Sequence, residues 1–264
     1  MPTNETMIVR TPLQLWDHKP CRTACIYTTQ HPSSKSLKSQ AKMRFLCLHG
    51  LGTNSKVLET QTAAIRAELG EEHEYEFVDG TVPWPKAKEL GDLFSDEDEY
   101  FAYYDPFDAE SMLKALFQLE EYIEEEGPFD AVMGFSHGAA LSSTLLLGRG
   151  TEREGWQSPF KLAVFLAGGG PLSWEALHKN QTIWLDRDYK LSQIRIPTAH
   201  VWALNDELGP SMSGVLEQLC TPHLRHGYVH NEGHTVPGTR SPETLRGALK
   251  AIQRALRDAQ AIAV

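Results

Sequence analysis

The sequence has few cysteines, no long apolar run and no excess of basic residues. Its four cysteines in 264 residues are too few and too scattered for a disulfide framework, and Cys21 and Cys25 are predicted to be free thiols. No apolar run approaches the roughly 20 residues that cross a bilayer, and the N-terminal segment lacks a signal-peptide core. A formal net charge of −10 disfavours nonspecific nucleic-acid binding. These absences predict a cytoplasmic protein that binds neither membrane nor nucleic acid.

The remaining composition, with 41% hydrophobic and 23% charged residues, is that of an ordinary globular protein. Residues 1–42 differ from the rest, because they are rich in Ser, Thr, Gln and Lys and show neither helical nor strand periodicity. We therefore predict a poorly ordered or loosely attached N-terminal extension over residues 1–42, followed by one domain over residues 43–264.

Short apolar stretches alternate with amphipathic segments throughout residues 43–264. The predicted strands are 44–48, 75–78, 129–133, 162–166, 198–203 and 227–230, and the predicted helices are 56–69, 110–126, 139–147 and a last helix that begins at Pro242. Apolar strands that alternate with helices are typical of a mostly parallel sheet with helices on both faces. The fold class is therefore α/β.

One motif, Gly134-Phe135-Ser136-His137-Gly138, lies between a predicted strand and a predicted helix. In that context G-x-S-x-G forms a sharp turn that exposes the serine at the carboxyl edge of the sheet. We predict that Ser136 is a nucleophile; the alternative is an incidental serine in a glycine-rich turn. The N–H of His137, at the start of the helix, is then predicted to hold an oxyanion.

A serine nucleophile needs a base and an acid, which in such sheets follow it in the order acid, then histidine. His234 lies in a loop between the last predicted strand and the last helix, from which an imidazole reaches the serine. Asp206 lies just beyond a strand end and is the predicted acid, with Glu207 as the alternative. His200, inside an apolar strand, is predicted to be a buried core residue.

The turn after the first strand, His49-Gly50-Leu51-Gly52, is predicted to supply a second oxyanion donor, the N–H of Leu51. His49 precedes the nucleophile in the chain, so we expect it to order this loop and not to act as the base. Nothing in this chemistry needs a metal ion or an organic cofactor, and none is predicted.

A long connection over residues 82–108 is rich in aromatic residues. Long connections in compact domains are often lids or binding loops, and aromatic side chains there are suited to line an acyl pocket. Ordinary packing of the loop onto the sheet is the alternative. The predicted substrate-binding residues are Trp84, Tyr103 and Tyr104 in this loop, with Trp174 and Trp184 forming the opposite wall.

Five segments together resemble the fungal serine hydrolase (FSH) family of α/β-hydrolases over about residues 43–260. They are Leu46-Cys47-Leu48-His49-Gly50, Val78-Asp79-Gly80, Gly134-Phe135-Ser136-His137-Gly138-Ala139-Ala140, His200-Val201 with Asp206, and Gly233-His234. The resemblance implies an α/β-hydrolase catalytic domain with a modest lid or insert loop. It also implies the triad Ser136, Asp206 and His234 and an esterase or thioesterase activity.

Several family members are encoded beside fungal polyketide synthases and release the finished acyl chain from the synthase's carrier protein. The start at Met43, the sequence Gly52-Thr53-Asn54 and the long stretch 100–108 are most similar to that subgroup. The resemblance therefore implies an acyl substrate, an acyl carrier protein as partner and a role in secondary metabolism. Ala203 departs from the glycine that the family often has before the acid. The alternatives are a general short-chain carboxylesterase, an acyltransferase and a non-catalytic binding module on the same fold.

Overall fold

The structure of the protein is a computed structural model that describes residues 42–152, 155–189, 193–207 and 210–262. The predicted N-terminal extension lies outside these residues except for Lys42, as do Cys21 and Cys25. The division of the chain at residue 42 therefore stays a prediction.

The described residues form eight strands and six α-helices. The strands are β1 (Arg44–Leu48), β2 (Glu74–Val78), β3 (Val82–Pro83), β4 (Phe101–Ala102), β5 (Ala131–Phe135), β6 (Leu162–Leu166), β7 (Thr198–Ala203) and β8 (Arg225–His230). The helices are α1 (Ser55–Leu69), α2 (Ala109–Glu126), α3 (His137–Glu152), α4 (Trp174–Leu177), α5 (Pro210–Gln218) and α6 (Pro242–Ile262), with a 3₁₀ helix at Lys88–Leu93.

Six strands form one sheet in the order β2-β1-β5-β6-β7-β8, and every neighbouring pair in it is parallel. Strands β3 and β4 pair with each other as a separate antiparallel ribbon. The predicted α/β fold with a mostly parallel sheet is confirmed. Because all six strands of the main sheet run in one direction, the loops at their carboxyl ends meet at one edge.

Helices cover both faces of the sheet because the strand side chains alternate between two apolar layers. On β1, Phe45 and Cys47 are buried in the layer that contains α1 and α6, whereas Leu46 and Leu48 are buried in the layer of α2 and α3. Burying each such side chain stabilises the fold by about 1.5–3 kcal/mol. These two layers bury both faces of the sheet.

Helices α1 and α2 each begin where a side chain accepts a hydrogen bond from an unpaired backbone N–H. Asn54 accepts from the N–H of Val57 at the start of α1, and Asp108 accepts from the N–H of Glu110 at the start of α2. Both caps lie at the carboxyl edge of the sheet, so they fix the turns that border it.

The connection between β2 and α2 contains the β3–β4 ribbon and the 3₁₀ helix. It is attached to the turn after β1, because the N–H of Gly52 donates to the carbonyl of Phe101 and the N–H of Phe101 donates to the carbonyl of Thr53. This connection, the insert, therefore lies against the carboxyl edge. In the part of the chain that the structure describes, no helix is both long and apolar enough to span a membrane.

Candidate active site

Ser136 occupies a strained turn between β5 and α3. Its φ of +50° is in the left-handed region, which is unfavourable for a residue with a side chain. A Cβ at Gly134 would lie 2.6 Å from the backbone nitrogen of Ala139, and a Cβ at Gly138 would lie 2.3 Å from the carbonyl oxygen of Leu48. Both flanking positions therefore require glycine, and the turn has the geometry in which a serine hydroxyl projects beyond the sheet.

Two backbone N–H groups remain open beside Ser136. The N–H of Gly138 donates to the carbonyl of His49, and that of Ala140 donates to the carbonyl of Ser136. Among the described residues, no acceptor is found for the N–H of His137 or of Leu51. Leu51, Ser136 and His137 line the same cavity. Both N–H groups, the one on His137 at the N-terminus of α3, are therefore candidates for the donors of an oxyanion.

His234 and Asp206 are joined by a hydrogen bond. The distance between His234 Nδ1 and Asp206 Oδ2 is 2.7 Å, and the Asp206 side chain is buried. With Nδ1 donating its proton to the carboxylate, Nε2 is the atom that carries a free lone pair. Both residues line the cavity that contains Ser136. The structure thus brings the three residues of the predicted triad to one site.

Asn205 connects the loops that carry the acid and the histidine, a role that the sequence analysis missed. Its side-chain nitrogen donates to the carbonyl of Asn231 at 3.1 Å, and its side-chain oxygen accepts from the N–H of Gly233 at 3.0 Å. Gly233 has a φ of +68°, which favours glycine. The position of Asn205 next to Asp206 is the only signal in the sequence that points to it.

The His137 side chain fastens the insert to the turn at Ser136. Its Nε2 faces the backbone N–H groups of Tyr103 at 3.2 Å and Tyr104 at 3.4 Å, and its ring stacks on that of Tyr104 at 4.0 Å. Burial lowers the pKa of His137 to about 3, so the imidazole is neutral and accepts from both donors. This imidazole is therefore structural, and His137 is a candidate oxyanion donor only through its backbone N–H.

The cavity has a volume of about 460 Å³ and a largely apolar wall. Trp84 and Tyr104 of the insert line this cavity, and Trp184 lies in its wall as well. Other lining residues that the sequence did not indicate are Leu90, Pro106, Ala140, Ala167 and Met212. An apolar cleft with a few convergent polar groups is typical of a small-molecule site.

Two predicted substrate-binding residues lie away from this cavity, which corrects their placement. The Tyr103 hydroxyl accepts from the N–H of His49 and donates to the carbonyl of Val78, so the side chain is used inside the fold. Trp174 packs so closely on α3 that a Cβ at Gly148 would lie 2.1 Å from its ring. Arg149 covers the same ring at 4.8 Å. Neither residue lines the cavity that contains Ser136.

His200 and His49 are buried and do not reach the triad as bases. His200 contacts the Thr198 hydroxyl at 3.0 Å inside β7, and His49 accepts from the N–H of Gly80 through Nε2. Burial lowers the pKa of each. Among the described residues, no group of three or more His, Cys, Asp or Glu side chains is placed to hold a metal ion.

Comparisons with known proteins point to one family. The family model for serine hydrolase (FSH1) matches residues 38–244. Esterase FPY3 of Fusarium mangiferae is 40% identical over 216 residues, which cover 80% of this chain and 96% of that protein. Hydrolase phiM of a fungal species (strain ATCC 74256) is 30% identical over 211 residues, covering 79% of this chain and 94% of that protein.

Solved structures share the architecture at low sequence identity. The crystal structure of Zea mays acyl-protein thioesterase 2 has a TM-score of 0.54 at 18% identity, covering 83% of this chain and 96% of that one. At this identity the likeness shows the fold alone. The fold is that of the α/β-hydrolases.

Proposed function

Because the chain belongs to the serine hydrolase (FSH1) family, we propose that it cleaves acyl thioesters or esters through a covalent intermediate on Ser136. We further propose that its biological reaction is the release of a polyketide acyl chain from the carrier protein of a synthase. The first statement is supported by the geometry of the cavity. The second is supported by the sequence resemblance to the polyketide-associated subgroup.

The observation that carries the mechanism is the 2.7 Å hydrogen bond between His234 and Asp206 in the cavity of Ser136. That bond leaves Nε2 of His234 with a lone pair that can take the Ser136 proton. Asp206 keeps the imidazole in this tautomer and stabilises the imidazolium that forms. The strained turn at Ser136 presents the hydroxyl to the cavity.

In the first half-reaction the oxygen of Ser136 attacks the acyl carbonyl while His234 takes its proton. The N–H groups of Leu51 and His137 hold the resulting oxyanion. When the tetrahedral intermediate collapses, the bond to the thiol or alcohol breaks, and His234 gives its proton to that leaving group. In the second half-reaction a water molecule, deprotonated by His234, attacks the acyl-enzyme and restores Ser136 with release of a free acid.

The test compares hydrolysis rates for matched acyl thioesters and oxygen esters of increasing chain length, together with the same acyl group on a carrier protein. Preference for long, polyketide-like thioesters, with faster release from the carrier protein than from a small thiol, supports chain release. Preference for short chains with no difference between sulfur and oxygen supports a general carboxylesterase. A new ester formed with an added alcohol, in place of free acid, identifies an acyltransferase.

A further inference from the structure

The carbonyl oxygen of Gly50 accepts three hydrogen bonds within the turn that follows β1. The N–H of Thr53 donates to it at 3.2 Å, the hydroxyl of Thr53 at 2.8 Å and Nδ1 of His49 at 2.7 Å. A carbonyl oxygen has two lone pairs, so this acceptor is saturated.

The peptide group that carries the Gly50 carbonyl also carries the N–H of Leu51. A trans peptide is planar, so its C=O and N–H point in opposite directions, and fixing one fixes the other. The three donors on the Gly50 oxygen therefore set the direction of the Leu51 N–H. Leu51 lines the cavity with Ser136, and its N–H has no acceptor among the described residues.

The hydrogen bond to the other ring nitrogen, Nε2, determines that His49 carries its proton on Nδ1. Nε2 accepts from the N–H of Gly80 at 2.9 Å, which leaves Nδ1 protonated and able to donate to Gly50. Gly80 is itself tightly packed, because a Cβ there would lie 2.3 Å from the carbonyl oxygen of Ala102. The ring also lies against Tyr103, with centroids 4.6 Å apart. His49 is therefore held in one orientation and one tautomer.

We propose that His49 and Thr53 are positioning residues that aim the Leu51 N–H at the oxyanion of the transition state. This inference rests on the proposed serine mechanism, because it assigns the Leu51 N–H a role in that reaction. His49 does not line the cavity that contains Ser136, whereas Thr53 does, so KM is measured beside kcat to separate a substrate contact of Thr53 from its effect on the Gly50 oxygen. Each acts through the orientation of one peptide plane, and preorganised donors of this kind are effective because they need no reorganisation during the reaction.

The test uses two pairs of variants that differ in the hydrogen bond to the Gly50 oxygen. His49→Asn places an amide nitrogen at the position of Nδ1 and keeps the donor, whereas His49→Gln places its amide near Nε2 and loses it. Thr53→Ser keeps the hydroxyl, whereas Thr53→Val replaces it with a methyl group of similar size. The readouts are kcat and KM per active site titrated with a fluorophosphonate, the melting temperature, and the affinity for an alkyl boronic acid, which forms a tetrahedral adduct on serine.

We expect His49→Gln and Thr53→Val to lower kcat by about 10- to 100-fold, which is less than the 10²- to 10³-fold loss on removing an oxyanion donor altogether. KM should change little, boronic acid affinity should fall in parallel with kcat, and His49→Asn and Thr53→Ser should retain most of the activity. Wild-type kcat in all four variants would overturn the inference. It would also be overturned if kcat fell in step with the melting temperature, whether or not the variant keeps a donor to the Gly50 oxygen. If a His49 variant does not fold, the comparison of kcat between Thr53→Val and Thr53→Ser tests the inference. Ser136→Ala separates the two proposals, because activity that survives this change refutes the serine mechanism itself.

Discussion

At the scale of single residues, the site depends on a backbone conformation that most side chains avoid. Ser136 has a φ of +50°, and such strain costs on the order of 1–3 kcal/mol. The surrounding structure maintains it because Gly134 and Gly138 let the turn approach α3 and β1 closely. The sequence alone indicates that small residues are needed here, whereas the atoms that they approach become visible only in the folded chain.

Replacing Gly138 with alanine tests this requirement. The new Cβ would lie 2.3 Å from the carbonyl oxygen of Leu48, a backbone atom of a central strand that cannot move aside. We expect Gly138→Ala to lower the free energy of unfolding by about 1–3 kcal/mol or more and to reduce hydrolysis. Gly238→Ala is the control, because no atom lies within 4 Å of its new Cβ. Equal unfolding midpoints for the two variants in urea would show that the turn tolerates a side chain.

The acid and the histidine of the triad could be proposed from their order in the chain, but the role of Asn205 in joining their loops could not. The loop positions of Asp206 and His234 follow from the strands that precede them, which a sequence pattern reveals. Asn205 acts through bonds to Asn231 and Gly233, more than 20 residues away in the chain. Such contacts depend on how β7 and β8 pair, and no local pattern encodes that pairing.

At the scale of elements, the central strands β1, β5, β6 and β7 were predicted well because each is a short, largely apolar run. β1, β6 and β7 have the predicted bounds. β5 was predicted to end at residue 133 but continues to Phe135, because Gly134 and Phe135 pair with β6. The β3–β4 ribbon was not predicted, since two-residue strands have no periodicity and depend on a partner about 20 residues away.

The local sequence does not show which of Trp174 and Trp184 lines the cavity wall opposite the insert. Both follow the glycine-rich turn after β6, yet Trp174 packs on α3 while Trp184 reaches the cavity. Trp184 forms an isolated bridge with Leu172, which brings its segment back towards the site. The direction of each ring is decided by this long-range pairing.

Trp184 is therefore expected to contact the acyl chain. We predict that Trp184→Ala raises KM for long acyl substrates by about 5- to 30-fold, corresponding to roughly 1–2 kcal/mol of lost apolar contact, and leaves kcat for short ones nearly unchanged. Ile183→Ala is the matched control, because this neighbouring side chain is half exposed and lies outside the cavity wall. A chain-length profile for Trp184→Ala that matches that of Ile183→Ala would remove Trp184 from the substrate site.

At the scale of the whole molecule, buried histidines, among them His137 and His200, are expected to make stability depend on pH. Burial lowers the pKa of His137 and of His200 to about 3, whereas an unfolded histidine has a pKa near 6.5. Between these values the unfolded chain binds protons that the folded chain does not. Stability is therefore full above about pH 6.5 and falls as the pH decreases towards 3.

We predict a loss of unfolding free energy of up to about 1.4 kcal/mol per pH unit for each of these histidines below pH 6.5. His200→Gln should make the dependence shallower, while the same change at His223, an exposed position, should leave it unaltered. Urea denaturation at pH values from 7 to 4.5 measures the slope. If wild type and His200→Gln had the same slope, His200 would not contribute to the pH dependence.

If Ser136 forms the covalent intermediate, the acyl group can be followed on the protein itself. Purified wild type, Ser136→Ala and Ser143→Ala are mixed with a chromogenic acyl ester, and mass spectrometry follows the acylated protein. Ser143 is a buried serine on α3 whose hydroxyl donates to the carbonyl of Ala140, so its replacement is the matched control. We predict an acyl adduct on Ser136 in wild type and Ser143→Ala, and a fall in hydrolysis on the order of 10⁴-fold or more in Ser136→Ala. Undiminished hydrolysis by folded Ser136→Ala would contradict it.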